Sequence, residues 1–183
     1  MGDKVSFSDV MKKALHLGGT LFAVTAVTGM ILGYVQDVTS VAIKRVEMEA
    51  QNAAFRIVMP DAKNFEEIVP EPDEYVAEVR RADDATGLVG WCMSVNSKGY
   101  GGIVNFIVGI TKEGTVKAIN ILNHSETPGL GARSTEPEFY TQFNDKTETP
   151  LRVVKGSAEG PSDIVAISGA TITSTAVTTG VNA

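Results

Sequence analysis

From Leu15 to Val35 the chain runs for 21 positions without an Asp, Glu, Lys or Arg. A helix of that length rises roughly 30 Å, the thickness of a bilayer's hydrocarbon core. Whatever else the chain forms, this stretch demands an apolar surrounding. Small residues crowd it (Gly18, Gly19, Ala23, Gly29, Gly33), which suits packing against other helices better than exposure to lipid tails. Gly29 and Gly33 form a G-x-x-x-G pair, read as a contact with another membrane protein. The run is longer than the apolar core of a signal peptide and no A-x-A site closes it, so a retained single-pass anchor is favoured over a cleaved leader. Lys4, Lys12 and Lys13 precede the span, whereas Lys44 and Arg45 follow at a greater distance. That bias places the N-terminus in the cytoplasm and everything after Asp37 beyond the cell membrane.

The remaining pattern predicts an α+β domain with an antiparallel sheet and packed helices. Apolar positions Val38, Val41, Ala42, Val46, Ala53 and Ile57 have helical spacing, and Pro60 ends the helix. Asn64 to Asp73, with its acidic residues and two prolines, reads as a loop. Strands are expected at Tyr75–Arg80, Leu88–Val95, Ile103–Ile110 and Val116–Leu122, joined by short turns as in a meander. Phe139 and Phe143 after Pro137 suggest a short amphipathic helix. Leu151–Val154 and Ile164–Ile167 are candidate later strands. The expected division is residues 1–14 cytoplasmic, 15–36 anchor, 37–73 linking helix and loop, and 74–183 the folded domain.

Composition excludes several chemistries. The net charge is −6 and no Lys/Arg cluster exceeds two, which argues against nucleic acid. The single cysteine, Cys92, lies beside Trp91 in an apolar run and reads as a buried, inert thiol. One Cys and two His (His16, His124) leave no set for an intrachain iron–sulfur cluster or an ordinary zinc site. Redox chemistry would need an organic cofactor. No G-x-x-x-x-G-K-[ST] or G-x-S-x-G is present, and no catalytic residue is assigned.

Three segments remain that ordinary folding does not explain. Gly99, Tyr100, Gly101 and Gly102 put three glycines between two apolar strands, more than a hairpin turn needs. His124, Glu126, Thr127, Pro128, Gly129, Leu130 and Gly131 occupy a long connection without periodicity, with Pro128–Gly129 at the centre of a type II turn. Ser168, Gly169, Ala170 and Thr171 lead into a hydroxyl-rich segment that includes Thr173 and could open a helix. The plain reading of the last is a helix cap. The alternative is a phosphate site, with the helix's first amides facing the anion.

In that order and spacing, the three motifs resemble the FMN-binding domain of bacterial respiratory flavoproteins. With the anchor, the chain is similar to the RnfG family of the Rnf complex and to the homologous NqrC family of the sodium-translocating NADH:quinone oxidoreductase. The resemblance implies FMN joined by a phosphoester to Thr171, installed by a flavin transferase outside the cytoplasmic membrane. It implies cofactor contacts from Ser168, Gly169, Ala170, Thr173, Gly99, Tyr100, Gly101, His124, Glu126, Thr127, Pro128, Gly129 and Leu130. It implies the other Rnf membrane proteins (A, B, C, D and E) as partners, and electron transfer within a ferredoxin:NAD⁺ oxidoreductase coupled to Na⁺ or H⁺ translocation. The NqrC type is one alternative, and an unflavinylated structural or assembly protein is another. His124 either lines the flavin or caps its own loop. Where the family often has an acidic residue three positions before the serine, Val165 stands here, with Asp163 two positions earlier.

Overall fold

The computed structural model describes residues 7–69 and 73–183. Lys4, used in the orientation argument, and residues 70–72 of the expected loop lie outside the described residues. The chain divides into two compact units, Met1–Met48 and Glu49–Ala183.

Helix α1 runs unbroken over Phe7–Val58, so Asp37 does not cap a separate helix. Large apolar side chains of the first unit are exposed, including Leu15, Leu21, Phe22, Met30 and Leu32. Among the described residues α1 is the one helix long and apolar enough to cross a membrane. Its threonines fit an apolar setting. Thr20, Thr25 and Thr28 each donate to a carbonyl four residues back, at 2.8, 3.0 and 2.8 Å, so none of these three hydroxyls is left without an acceptor.

The second unit is built on an antiparallel meander, β1 (Asn64–Ile68), β2 (Val76–Asp83), β3 (Leu88–Lys98), β4 (Ile103–Thr111) and β5 (Val116–Asn123), paired in that order. Strand β1 corrects the expected loop at 64–73. It sets Glu66 opposite Arg81 and Glu67 opposite Arg80. Asn64-Phe65-Glu66-Glu67-Ile68 has too few apolar residues to read as a strand alone. It holds as an edge, where charged side chains stay in water and oppose charges on the neighbour. The other strands run longer than their apolar cores, because ladder pairing continues through Asp83 and Lys98.

Both faces of the sheet are covered, and this explains the near-continuous apolar run of β4. Phe106 and Val108 point to one side and Ile107 to the other. On Ile107's side the last turns of α1 pack Ala54, Phe55 and Val58, with the adjoining Met59, against Ala82 and Cys92. Gly109 lets the helix approach, since a Cβ there would sit 2.8 Å from the Val58 carbonyl oxygen. Cys92 is fully buried and desolvation pushes its thiol up to about 12, so it is inert, as expected.

On the opposite face lie α2 (Pro137–Tyr140), β6 (Arg152–Val154), β7 (Asp163–Val165) and α3 (Thr171–Asn182). Phe139 and Phe143 are both buried and meet edge to face at 5.5 Å. Strands β6 and β7 form a separate parallel pair, and the second stops at Val165, before the expected end at Ile167. The Asn182 amide clasps Leu151, accepting from its N–H and donating to its C=O at 2.8 Å each, which fixes the end of α3.

Candidate functional site

The three unexplained segments meet at one buried carboxylate, Glu126 (6% exposed). Its Oε1 accepts from the Gly101 N–H at 3.1 Å, and its Oε2 accepts from the Thr173 hydroxyl at 2.8 Å. The surrounding glycines are required by this closure. A Cβ at Gly99 would overlap Glu126 Oε1, one at Gly101 the Ser125 carbonyl oxygen, and one at Gly131 would overlap Glu126 Oε2 and stand 2.5 Å from Thr173 Oγ1. These glycines therefore admit the chain's own atoms. Gly129 and Gly169 serve differently: each has φ of 76° at the third position of a turn, closed by Leu130 N–H to Thr127 O (3.1 Å) and Ala170 N–H to Ile167 O (2.9 Å). The first is the expected turn through Pro128–Gly129.

Helix α3 begins at Thr171 with Ala170 as its N-cap, and no side chain caps it. Ser168-Gly169-Ala170-Thr171 therefore does hold the helix cap, but without a capping side chain. Ser174, inside the helix, ties the turn instead, accepting from Ile167 N–H and donating to Ala170 O at 3.0 Å each. The amides of Thr171, Ile172 and Thr173 find no acceptor among the described residues. These are the open donors that favour an anion at a helix start.

The hydroxyls of this stretch are unequal. Those of Thr173, Ser174 and Thr178 are buried and donate to Glu126, Ala170 O and Ser174 O. The Thr171 hydroxyl is half-exposed and takes no partner among the described residues. It also lines two hollows. One, about 420 Å³, is walled by Tyr100, Glu126, Thr127, Leu130, Gly131 and residues 169–173. The other, about 540 Å³, lies between Tyr75, Asn96, Ser97, Lys98 and Ile103 and the flank of α3 carrying Thr171, Ile172, Thr175 and Thr179. From residue 73 onward the exposed large apolar side chains are Tyr100, Ile103, Leu130 and Ile172, and all four line these hollows.

Of the sequence-predicted residues, Gly99, Gly101, His124, Pro128, Gly129 and Ser168 line neither hollow. His124 accepts the Glu126 N–H on Nδ1 at 3.2 Å and so caps its own loop. Arg133 is drawn to Glu136 (2.9 Å) and Glu138 (3.3 Å), which raise its guanidinium further. Val165 stands where an acidic residue was anticipated, its N–H donating to Gln142 Oε1 at 2.7 Å. Asp163, two positions earlier, is engaged elsewhere. It is buried against Arg152 and accepts the amides of Glu159 and Gly160 at 2.8 and 2.9 Å. The expected contacts did not include Ile172, Lys98 and Asn96, which line the hollows. Ile172 could have been noticed as a bulky apolar residue alone among hydroxyls.

Residues 99–183 match the FMN-binding domain family. Over 169 residues the chain is 34% identical to the G component of the proton-translocating ferredoxin:NAD(+) oxidoreductase complex of Clostridium ljungdahlii, covering 88% of each chain. Over 186 residues it is 35% identical to the G component of the Na(+)-translocating ferredoxin:NAD(+) oxidoreductase complex of Acetobacterium woodii, covering 93% of this chain and 89% of that one. Among solved structures, NqrC of Shewanella oneidensis shares the fold, with a TM-score of 0.51 at 24% identity over 68% of this chain and 66% of that one.

Proposed function

The chain belongs to the RnfG family of ion-translocating ferredoxin:NAD⁺ oxidoreductase complexes, and on that premise we propose that it is a membrane-anchored electron carrier with FMN esterified to Thr171. One observation carries the reading. The partnerless hydroxyl at the start of α3 is ringed by the exposed large apolar side chains of residues 73–183. A monomeric domain gains nothing from leaving such side chains around a polar group, and a flat, partly apolar ligand with an anionic tail would cover both.

The residues fit such a ligand. Tyr100, Ile103, Leu130 and Ile172 offer apolar surface to a ring system. The three open amides of α3 offer donors to a phosphate, and Lys98 shares the hollow beside Thr171 with Glu74. Thr171 supplies the ester oxygen, and the hydroxyls of Thr173 and Ser174 beside it are already engaged within the protein. When bound through its phosphate, FMN supplies one-electron redox chemistry with an unmodified ring. The chain's own task is to hold it at a fixed place and to shield one side of it from water.

On this reading α1 anchors the domain in the cell membrane with its N-terminus cytoplasmic, and the domain passes electrons to and from the other proteins of an Rnf-type complex coupled to Na⁺ or H⁺ transport. A flavin transferase installs the cofactor outside the cytoplasm. The test is mass spectrometry of the chain isolated from cells expressing that transferase. Esterification adds about 440 Da to the Thr171 peptide. Thr171→Val abolishes in-gel flavin fluorescence, and covalent flavin persisting in that variant refutes the assignment.

A further inference from the structure

We propose that Glu126 is the positioning residue for cofactor attachment: without holding the flavin itself, it fixes the hairpin tip and the start of α3 so that Thr171 is the hydroxyl presented. The inference rests on Thr171 being the attachment point.

Both carboxylate oxygens are spent on the protein, one on the Gly101 amide and one on the Thr173 hydroxyl. The two ties reach 25 residues back and 47 residues forward, so one side chain joins all three motifs. No Lys or Arg pairs with Glu126 among the described residues, so its partners are the two neutral donors alone. The tie to Thr173 lies two residues from Thr171 and engages a hydroxyl that lines the same hollow. Deleting the carboxylate would strand both donors and release both walls at once.

The experiment expresses the full chain with a flavin transferase and measures flavin per Thr171 peptide by mass spectrometry, with thermal melting of the detergent-solubilised chain alongside. Glu126→Ala is expected to lower Thr171 occupancy about tenfold, the scale of one hydrogen bond to a charged group. Glu126→Gln can keep both ties, accepting from Gly101 with Oε1 and donating to Thr173 Oγ1 with Nε2, and is expected to restore occupancy to within about twofold. A residue that only stabilised the fold would show loading that follows melting temperature in both variants. Wild-type occupancy in Glu126→Ala overturns the proposal, as does Glu126→Gln that folds but loads no better than Glu126→Ala. Should Glu126→Ala fail to fold, Thr173→Val decides: reduced Thr171 occupancy supports the proposal and wild-type occupancy overturns it. Flavin mapped to another residue in the wild-type chain refutes the Thr171 reading itself, independently of these variants.

Discussion

Gly131→Ala should damage the site more than Gly129→Ala, although only Gly129 has a conformation that disfavours a side chain. At Gly129 φ is 76° and an added Cβ meets nothing within 4 Å. The cost there is that of one left-handed residue, about 1–2 kcal/mol. At Gly131 a Cβ overlaps Glu126 Oε2, stands 2.5 Å from Thr173 Oγ1 and 2.9 Å from Glu126 Cβ. The carboxylate cannot simply swing aside, because it is buried and both of its oxygens are bonded. Moving it breaks the Thr173 hydrogen bond, a loss of about 1.5–3 kcal/mol for a charged acceptor, with residual crowding adding to it. A total near 3 kcal/mol corresponds to a midpoint shift of about 1–3 M urea. The assay is urea unfolding of the detergent-solubilised chain, followed by fluorescence of Trp91, the single tryptophan. Gly131→Ala within about 0.5 kcal/mol of wild type, or milder than Gly129→Ala, would refute the reasoning.

Phe55→Ala tests whether the last turns of α1 are core to the second unit. Phe55 is 1% exposed, stacks on Phe65 at 5.8 Å and lies under Arg80 at 4.8 Å, so the truncation should cost about 3–5 kcal/mol in thermal unfolding, whereas Phe22→Ala at a 73% exposed position should leave the melt unchanged. Asp163 sets an acid limit. Its hydrogen bond from Arg152, helped by the Glu159 and Gly160 amides, lowers the carboxyl from 3.8 to about 2, so the unfolded state binds the proton first. Its stabilisation is complete above about pH 4 and is lost as pH falls from there towards 2, and Asp163→Asn should flatten acid unfolding in that window.

The meander was legible because β2 to β5 each carry apolar residues on at least one face and are separated by short turns with Gly or Asp. The long apolar helix was legible from composition alone. Strand β1 was not, because its stability comes from pairing with β2 and from the opposition of Glu66 and Glu67 to Arg81 and Arg80, neither of which is local. The parallel pairing of β6 with β7 was hidden for the same reason: each residue of a three-residue strand finds its partner 11 positions away, across an irregular loop.

The glycines show a different limit. Gly99, Gly101 and Gly131 looked like places where backbone approaches a ligand, since a glycine surplus in a loop signals close approach without naming the visitor. Here the visitor is Glu126 or its neighbour Ser125. The same holds for the hydroxyls after Ser168. Thr171, Thr173 and Ser174 are chemically alike in the sequence, and only the fold ranks them, because helical geometry turns Thr173 towards Glu126 and Ser174 towards Ile167 while leaving Thr171 on the rim. Family resemblance pointed to Thr171 through motif order. The hydrogen bonds agree with that choice by occupying two nearby alternatives, Thr173 and Ser174, whereas Ser168, Thr175 and Thr179 are set aside by motif order alone.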